Sequence, residues 1–344
     1  MARVWLAAVF VVLLTLASAC SPTGDYQILY DQDEERSAKE RHPDRQYTIA
    51  VVPKREGLDY FEAAKDGAFE AAKELGINVL FRGPETADAD AQIRVIEELI
   101  EQDIDLLAVS SNDPKKLLPV LKRASDNNIA VITWDSDTDE EGRAFFINMV
   151  DPETLGRHLM DTLAWSTGER GKFAVMTGSL SAANLNEWMH WIMVQQQEYY
   201  PNMELVEIAA NNDSYEEAYA SAVRLLESHP DLAGIIGNSS VGPPSAAKAV
   251  KEAGKQGEVK VVGLSTPNLM RDALHDGTVQ VITLWSPKRL GYLTVALGKN
   301  LLDGTLPYDG QFVNKVGNVR VKGDMVIMGE PLDFTKDNVD QYDF

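Results

Sequence analysis

Short apolar runs in this 344-residue chain repeatedly end in small polar or charged side chains, and these are the residues that could do chemistry. Val51-Val52 runs into Pro53-Lys54, Val109 into Ser110-Ser111-Asn112, and Trp134 into Asp135-Ser136-Asp137. Further along, Thr177-Gly178-Ser179, Asn211-Asn212, Asn238-Ser239-Ser240 and Ser265-Thr266 follow apolar runs in the same way. A carboxylate accepts hydrogen bonds from hydroxyls, an ammonium donates, and amides and hydroxyls do both. Aromatic residues stand near several of these positions: Tyr60, Phe61, Trp134, Trp188, Trp191 and Trp285. Flat rings cover C–H faces while their polar tips find partners, so the mixture suits reversible capture of a hydroxyl-rich small molecule.

Some of these residues have a second reading. Asn184 with Glu187 three residues later fits a helix N-terminal cap, as does Thr266 before Pro267. Trp188 and Trp191 have the helical spacing of core residues beside Ile192 and Val194. Enzymatic motifs fail on inspection. Asp135-Ser136-Asp137-Thr138-Asp139 begins like a calcium loop, but Glu140 stands at the glycine position and Phe146 at the final acid position. Gly237-Asn238-Ser239-Ser240-Val241-Gly242 departs from the G-x-S-x-G nucleophile pattern by one residue, and no phosphate-loop or GxGxxG fingerprint occurs. The histidines at 42, 158, 190, 229 and 275 lack metal-ligand spacing. The expectation is a binding protein with no catalytic residue, cofactor or metal.

The elements that must position these residues alternate between short apolar strands and longer segments of helical period. The first series has strands at 47–52, 78–81, 104–109 and 129–134, with helices at 59–75, 90–102 and 114–127 between them. The second has strands at 172–176, 204–208, 233–236, 259–264 and 279–284, with helices at 184–199, 214–227, 244–253, 267–275 and 288–302. Strands of this kind, buried on both faces, belong to parallel sheets covered by helices. Two successive doubly wound α/β modules follow, and in such modules ligands bind beyond the carboxyl ends of the strands, where the polar residues stand.

Before the first module, Arg3, the apolar run Val4–Leu16 and the small residues Ala17-Ser18-Ala19 have the form of a secretory signal, too short to span a bilayer. Cys20, the single cysteine, follows directly, an arrangement that resembles the lipobox of bacterial lipoproteins and implies lipidation there. Residues 21–45 are densely charged and read as a solvated tether. With one cysteine no internal disulfide can form, so stability rests on the core. The 53 acidic against 32 basic residues leave a net charge of −21, which repels phosphate backbones and argues against nucleic acid as a partner.

The segments Tyr47–Pro84, Val131–Thr138, Val261–Val279 and Phe334–Phe344 together resemble the sugar-binding proteins of bacterial ABC importers, in particular the rhamnose and autoinducer-2 branch. The resemblance implies a type I periplasmic-binding-protein fold: two Rossmann-like lobes, a three-segment hinge, and a ligand closed between the lobes. It divides the chain into a signal (1–20), a tether (21–45), an N-terminal lobe (46–150 with 284–310) and a C-terminal lobe (151–283 with 311–344). Crossings are expected near Met149–Pro152, Thr283–Ser286 and Tyr308–Phe312.

By position, Lys54 and Asp135 match ligand contacts of the autoinducer binders, while Tyr60-Phe61 and Asn238 match an aromatic pair and a sugar contact of the ribose-binding group. The chain departs from the pattern at Asn184-Leu185, where the autoinducer binders carry Asp-Gln, and at Asn238, where they carry proline. Ser265 replaces an aspartate of the ribose-type proteins. These departures imply a pentose or a deoxyhexose such as rhamnose. The expected contacts are Lys54, Tyr60, Phe61, Asp135, Asn184, Asn238, Ser240, Ser265 and Trp285. The expected function is a monomeric, membrane-tethered lipoprotein outside the cytoplasm that hands a small carbohydrate to an ABC permease. The alternative is a subunit that reports sugar or autoinducer-2 to a membrane receptor or histidine kinase.

Overall fold

The structure, a computed structural model, describes residues 46–344. The signal, the tether and Cys20 lie outside the described residues. The first lobe contains β1 (Thr48–Val52), α1 (Asp59–Leu75), β2 (Asn78–Phe81), α2 (Ala89–Ile100), β3 (Leu106–Val109), α3 (Pro114–Asp126), β4 (Ala130–Trp134) and β5 (Phe146–Val150). Its strands pair in parallel in the order β2-β1-β3-β4-β5. Alternate residues of each strand face opposite sides, so Ile49, Val51, Leu106, Ala108 and Ile132 join one apolar layer. Ala50, Val52, Leu107, Val109 and Val131 join the other.

The second lobe contains α4 (Pro152–Thr167), β6 (Gly171–Thr177), α5 (Ala183–Tyr199), β7 (Met203–Ala210), α6 (Tyr215–Ser228), β8 (Leu232–Gly237), α7 (Gly242–Glu252), β9 (Lys260–Gly263), α8 (Pro267–His275) and β10 (Ile282–Leu284). Its parallel order is β7-β6-β8-β9, and a parallel bridge from Leu264 to Thr283 sets β10 beside β9. Both lobes therefore repeat one doubly wound order, with a switch point where ligands bind.

Between Trp134 and Lys172, where the sequence reading places no element, the structure has β5 and α4. β5 is an uninterrupted buried run without alternation, and periodicity alone cannot type such a run. The signals for α4 are present in the sequence: an Asp151 cap bonding Thr154 N at 3.2 Å, Pro152 in the first turn, and Gly168 at the C-terminus with φ 70°.

The chain returns to the first lobe through α9 (Pro287–Leu302), which packs against α1. A β-carbon on Gly291 would lie 1.8 Å from the Ala64 carbonyl oxygen, and one on Gly67 would lie 1.8 Å from that of Lys288, so the two backbones are in direct contact. The hairpin of β11 (Phe312–Val313) and β12 (Gly317–Asn318) follows, with Lys315 on Glu70 and Glu74 of α1. β13 (Arg320–Lys322) and β14 (Met325–Gly329) then extend the first sheet beside β5. β15 (Leu332–Phe334) pairs antiparallel with β10 on the second lobe.

This corrects the expected boundaries. Residues 311–329 belong with the first lobe, Arg320–Gly329 in its sheet, and the third crossing lies between Gly329 and Leu332 instead of at Tyr308–Phe312. The reason is register: Met325–Gly329 offers β5 a parallel partner whose centre, Val326–Met328, is buried.

Candidate functional site

The loops at the carboxyl ends of the two sheets meet across a cleft. Asp135, directly after β4, has φ 62°, a conformation unusual for any residue but glycine. Across the cleft Asn212 and Asp213, after β7, both have φ 51°. Backbone held in such regions costs energy and concentrates at functional positions.

On the first lobe the site is built around Asp135, only 3% exposed. Its Oδ1 accepts from the Tyr60 hydroxyl at 3.0 Å and its Oδ2 from Ser110 Oγ at 2.5 Å. Tyr60 in turn accepts from Trp285 Nε1 at 3.1 Å, so a chain of donors runs from the second crossing to the carboxylate. Burial first, then the Asp135 charge, pushes the Tyr60 phenol well above its ordinary range, which keeps it a donor. Lys54, 4% exposed, places Nζ 3.9 Å from Asp135 Oδ2.

The Lys54 loop is fixed from beneath. Asn112 Nδ2 donates to the Lys54 carbonyl at 2.8 Å. Fully buried Gln92 of α2 donates to the carbonyls of Pro53 and Ser110 and accepts from the Asn112 N–H. The sequence offered no sign of this role for Gln92, a polar residue on a helix face.

On the second lobe, α5 is pressed onto α4 at Gly156, where a β-carbon would lie 2.5 Å from that of Trp191. That contact sets the face of α5 carrying Asn184, Leu185 and Trp188 toward the cleft. Asn184 Oδ1 accepts from Lys54 Nζ at 2.8 Å and from the Leu185 N–H at 2.9 Å. The cap reading of Asn184 fails, because the cap residue of α5 is Ala182, two residues earlier. Asn238 Nδ2 donates to the Leu185 carbonyl at 3.0 Å, and its Oδ1 is buried without a protein partner.

A cavity lies between the lobes, lined by residues of both. Every expected contact lines it except Ser265, which is fully buried and donates to the Ser240 carbonyl at 2.9 Å from behind. Trp134 is core: it packs edge-on against Phe61 and its Nε1 donates to the Ala108 carbonyl at 3.3 Å. The sequence reading placed Trp188 in the core only and missed Asp213. Trp188 is both core and cavity wall, meeting Trp285 edge-on at 5.7 Å. Asp213 follows Asn211-Asn212, whose place after a strand was the signal that could have found it. Leu58, Leu185, Leu264 and Leu284 supply an aliphatic wall.

Contacts that bypass the cavity also bridge the lobes. Arg55 donates to the Asp213 carbonyl at 2.9 Å, Tyr215 OH to Asp59 at 2.9 Å, and Ser181 Oγ to the Asn112 carbonyl at 2.9 Å. The cleft is therefore closed.

Residues 49–306, well over half the chain, match the family described as periplasmic binding protein domain. The chain belongs to the periplasmic binding protein family. Among family relatives, the D-ribose/D-allose-binding protein of Pseudomonas aeruginosa is 27% identical over 239 residues, 67% of this chain and 74% of that protein. The D-apiose import binding protein of Paraburkholderia graminis is 25% identical, over 69% of this chain and 75% of that protein. A solute-binding protein of Clostridium phytofermentas solved with L-rhamnose superposes with a TM-score of 0.82 at 26% identity, covering 86% of this chain and 98% of that one. LsrB of Clostridium saccharobutylicum with autoinducer-2 gives 0.81 at 27%, covering 86% and 100%. Among the described residues no helix is long and apolar enough to cross a membrane.

Proposed function

We propose that this protein captures a pentose or a deoxyhexose such as rhamnose and presents it to an ABC permease, as a monomer tethered through lipidated Cys20 on the outer face of a membrane. The observation that carries the ligand class is the make-up of the closed cavity. Asp135, Lys54 and Asn238 offer acceptors and donors for hydroxyls, and Phe61, Trp188 and Trp285 offer ring faces. The aliphatic wall of Leu58, Leu185, Leu264 and Leu284 suits a C–H-rich edge such as a deoxy sugar's methyl group. The relatives' binding roles favour capture of a small sugar over catalysis. The net charge of −21 disfavours self-association and so supports a monomer. The lipid anchor and the tether rest on the sequence of residues 1–45 alone.

The likeness to the autoinducer-2 complex favours a second reading, a subunit that presents a signal molecule to a membrane receptor. Asn184-Leu185 and Asn238 weigh against it. Thermal unfolding of the purified protein with L-rhamnose, D-ribose, D-arabinose, D-glucose and autoinducer-2 tests both. A ligand at 100 times its dissociation constant adds about 2.7 kcal/mol, a midpoint rise of roughly 5 °C. A rise with a pentose or rhamnose is expected. A rise with autoinducer-2 alone replaces the sugar by a signal molecule, with pull-down of a receptor or of a permease then separating the two roles, and no rise with any of the five refutes the carbohydrate assignment.

A further inference from the structure

Asp213 stands in the loop between β7 and α6 and lines the cavity from the second lobe, only 6% exposed. Its backbone is held on both sides. The N–H donates to Asn211 Oδ1 at 3.1 Å and the carbonyl accepts from Arg55 at 2.9 Å. Its carboxylate lies against Gly178, where a β-carbon would come within 2.3 Å of Oδ1, so only glycine at 178 leaves room for it. The position is thus built to hold a carboxylate.

Among the described residues, however, no protein donor hydrogen-bonds that carboxylate, whereas both oxygens of Asp135 are taken by Tyr60 and Ser110. The charged groups facing it are Lys54 and Arg55, from the loop after β1, and Asp135 after β4. Burial, with the Asp135 charge, pushes the Asp213 carboxyl above its ordinary range, and Lys54 and Arg55 pull it down. A buried carboxylate without donors is costly, and a ligand hydroxyl is the partner this cavity can bring.

We propose that Asp213 is a specificity-determining residue of the cleft, its two free oxygens accepting hydrogen bonds from two hydroxyls of the bound sugar. The role rests on the carbohydrate reading and deepens it. The ligand must present a pair of hydroxyls to the second lobe as well as one to Asp135. Closing the empty cleft buries Asp213 unpaired, so the hydroxyl pair also favours closure.

The test is calorimetric titration of the purified protein and its Asp213→Asn variant with L-rhamnose, D-ribose, D-arabinose and autoinducer-2, and with monodeoxy analogues of whichever sugar binds. Asparagine keeps the shape and tolerates the φ of 51°. If that variant does not fold, Asp213→Gly, which also suits this backbone, takes its place. The variant is expected to bind the sugar roughly 10- to 150-fold more weakly. Deleting one of the paired hydroxyls from the ligand should cost the wild type much and the variant little. Equal affinity for the sugar in both proteins overturns the role. So does an equal loss for the sugar and every monodeoxy analogue, which marks a merely structural residue. If the wild type binds no sugar at all, the carbohydrate reading falls first and takes this role with it.

Discussion

Asp135 is the residue on which the most of the site converges. It accepts from Tyr60 and Ser110, faces Lys54, and is forced into a left-handed backbone where β4 ends. Asp135→Ala should weaken sugar binding by roughly 10- to 150-fold, since a hydrogen bond to a charged group contributes about 1.5 to 3 kcal/mol. Titration calorimetry checks this, and unchanged affinity would remove Asp135 from the site. At this scale the sequence was informative about residues placed directly after a strand, such as Lys54, Asp135 and Asn238. It could not separate ligand-facing residues from others in the same position. Asp113, Ser214 and Ser286 also follow or adjoin strand ends, but they accept hydrogen bonds from helix N–H groups. Ser265 likewise follows β9 yet bonds a neighbouring loop from behind. Which way a short polar side chain turns depends on tertiary neighbours that spacing does not encode.

The helices and strands of both lobes were largely legible, because buried parallel strands and capped amphipathic helices alternate plainly along the chain. Helix α1 illustrates this: Phe61, Ala64, Ala68 and Ala71 share its buried face and Gly76 ends it. The tail was not legible, because short strands such as β13 and β15 take their identity from the sheet edges they meet. One consequence of that tail is a polar cluster where α4, β10 and β15 converge. His158 pairs with Asp333 at 2.8 Å, and Thr283 donates to the same carboxylate at 2.7 Å. The hydrogen bond to Asp333, against burial, raises the His158 imidazole above its ordinary 6.5. Asp333 is held below its ordinary 3.8 by His158 and Thr283, in spite of burial.

A raised histidine contributes stability that is fully present below its unfolded pKa and is lost as pH rises through the folded value. A lowered aspartate contributes stability that is present above its unfolded pKa and is lost as pH falls through the folded value. The pair therefore supports the fold most between about pH 4 and 6.5. In thermal melts, the gap between wild type and His158→Gln should narrow as pH rises above about 6.5. A gap that does not change with pH would show that the imidazole's charge contributes nothing there.

Residues 46–344 form two doubly wound lobes joined by three crossings, with loops from both closing over the cavity. The lobes touch directly through Arg55, Tyr215 and Ser181, so closure has protein contacts of its own and a ligand needs to supply only part of its free energy. The ligand's contribution has to come through the cavity, where Asp135 belongs to one lobe and Asp213 and Asn238 to the other. The most direct measurement is a crystal structure of the protein with the sugar that gives the largest midpoint rise. The sugar is predicted to lie between Asp135 and Asn238 with its ring against Phe61 and Trp188, hydroxyls on the carboxylates of both lobes, and the cleft closed. A sugar bound elsewhere, or one in the cleft that leaves Asp135 bonded only to Tyr60 and Ser110, would contradict the account.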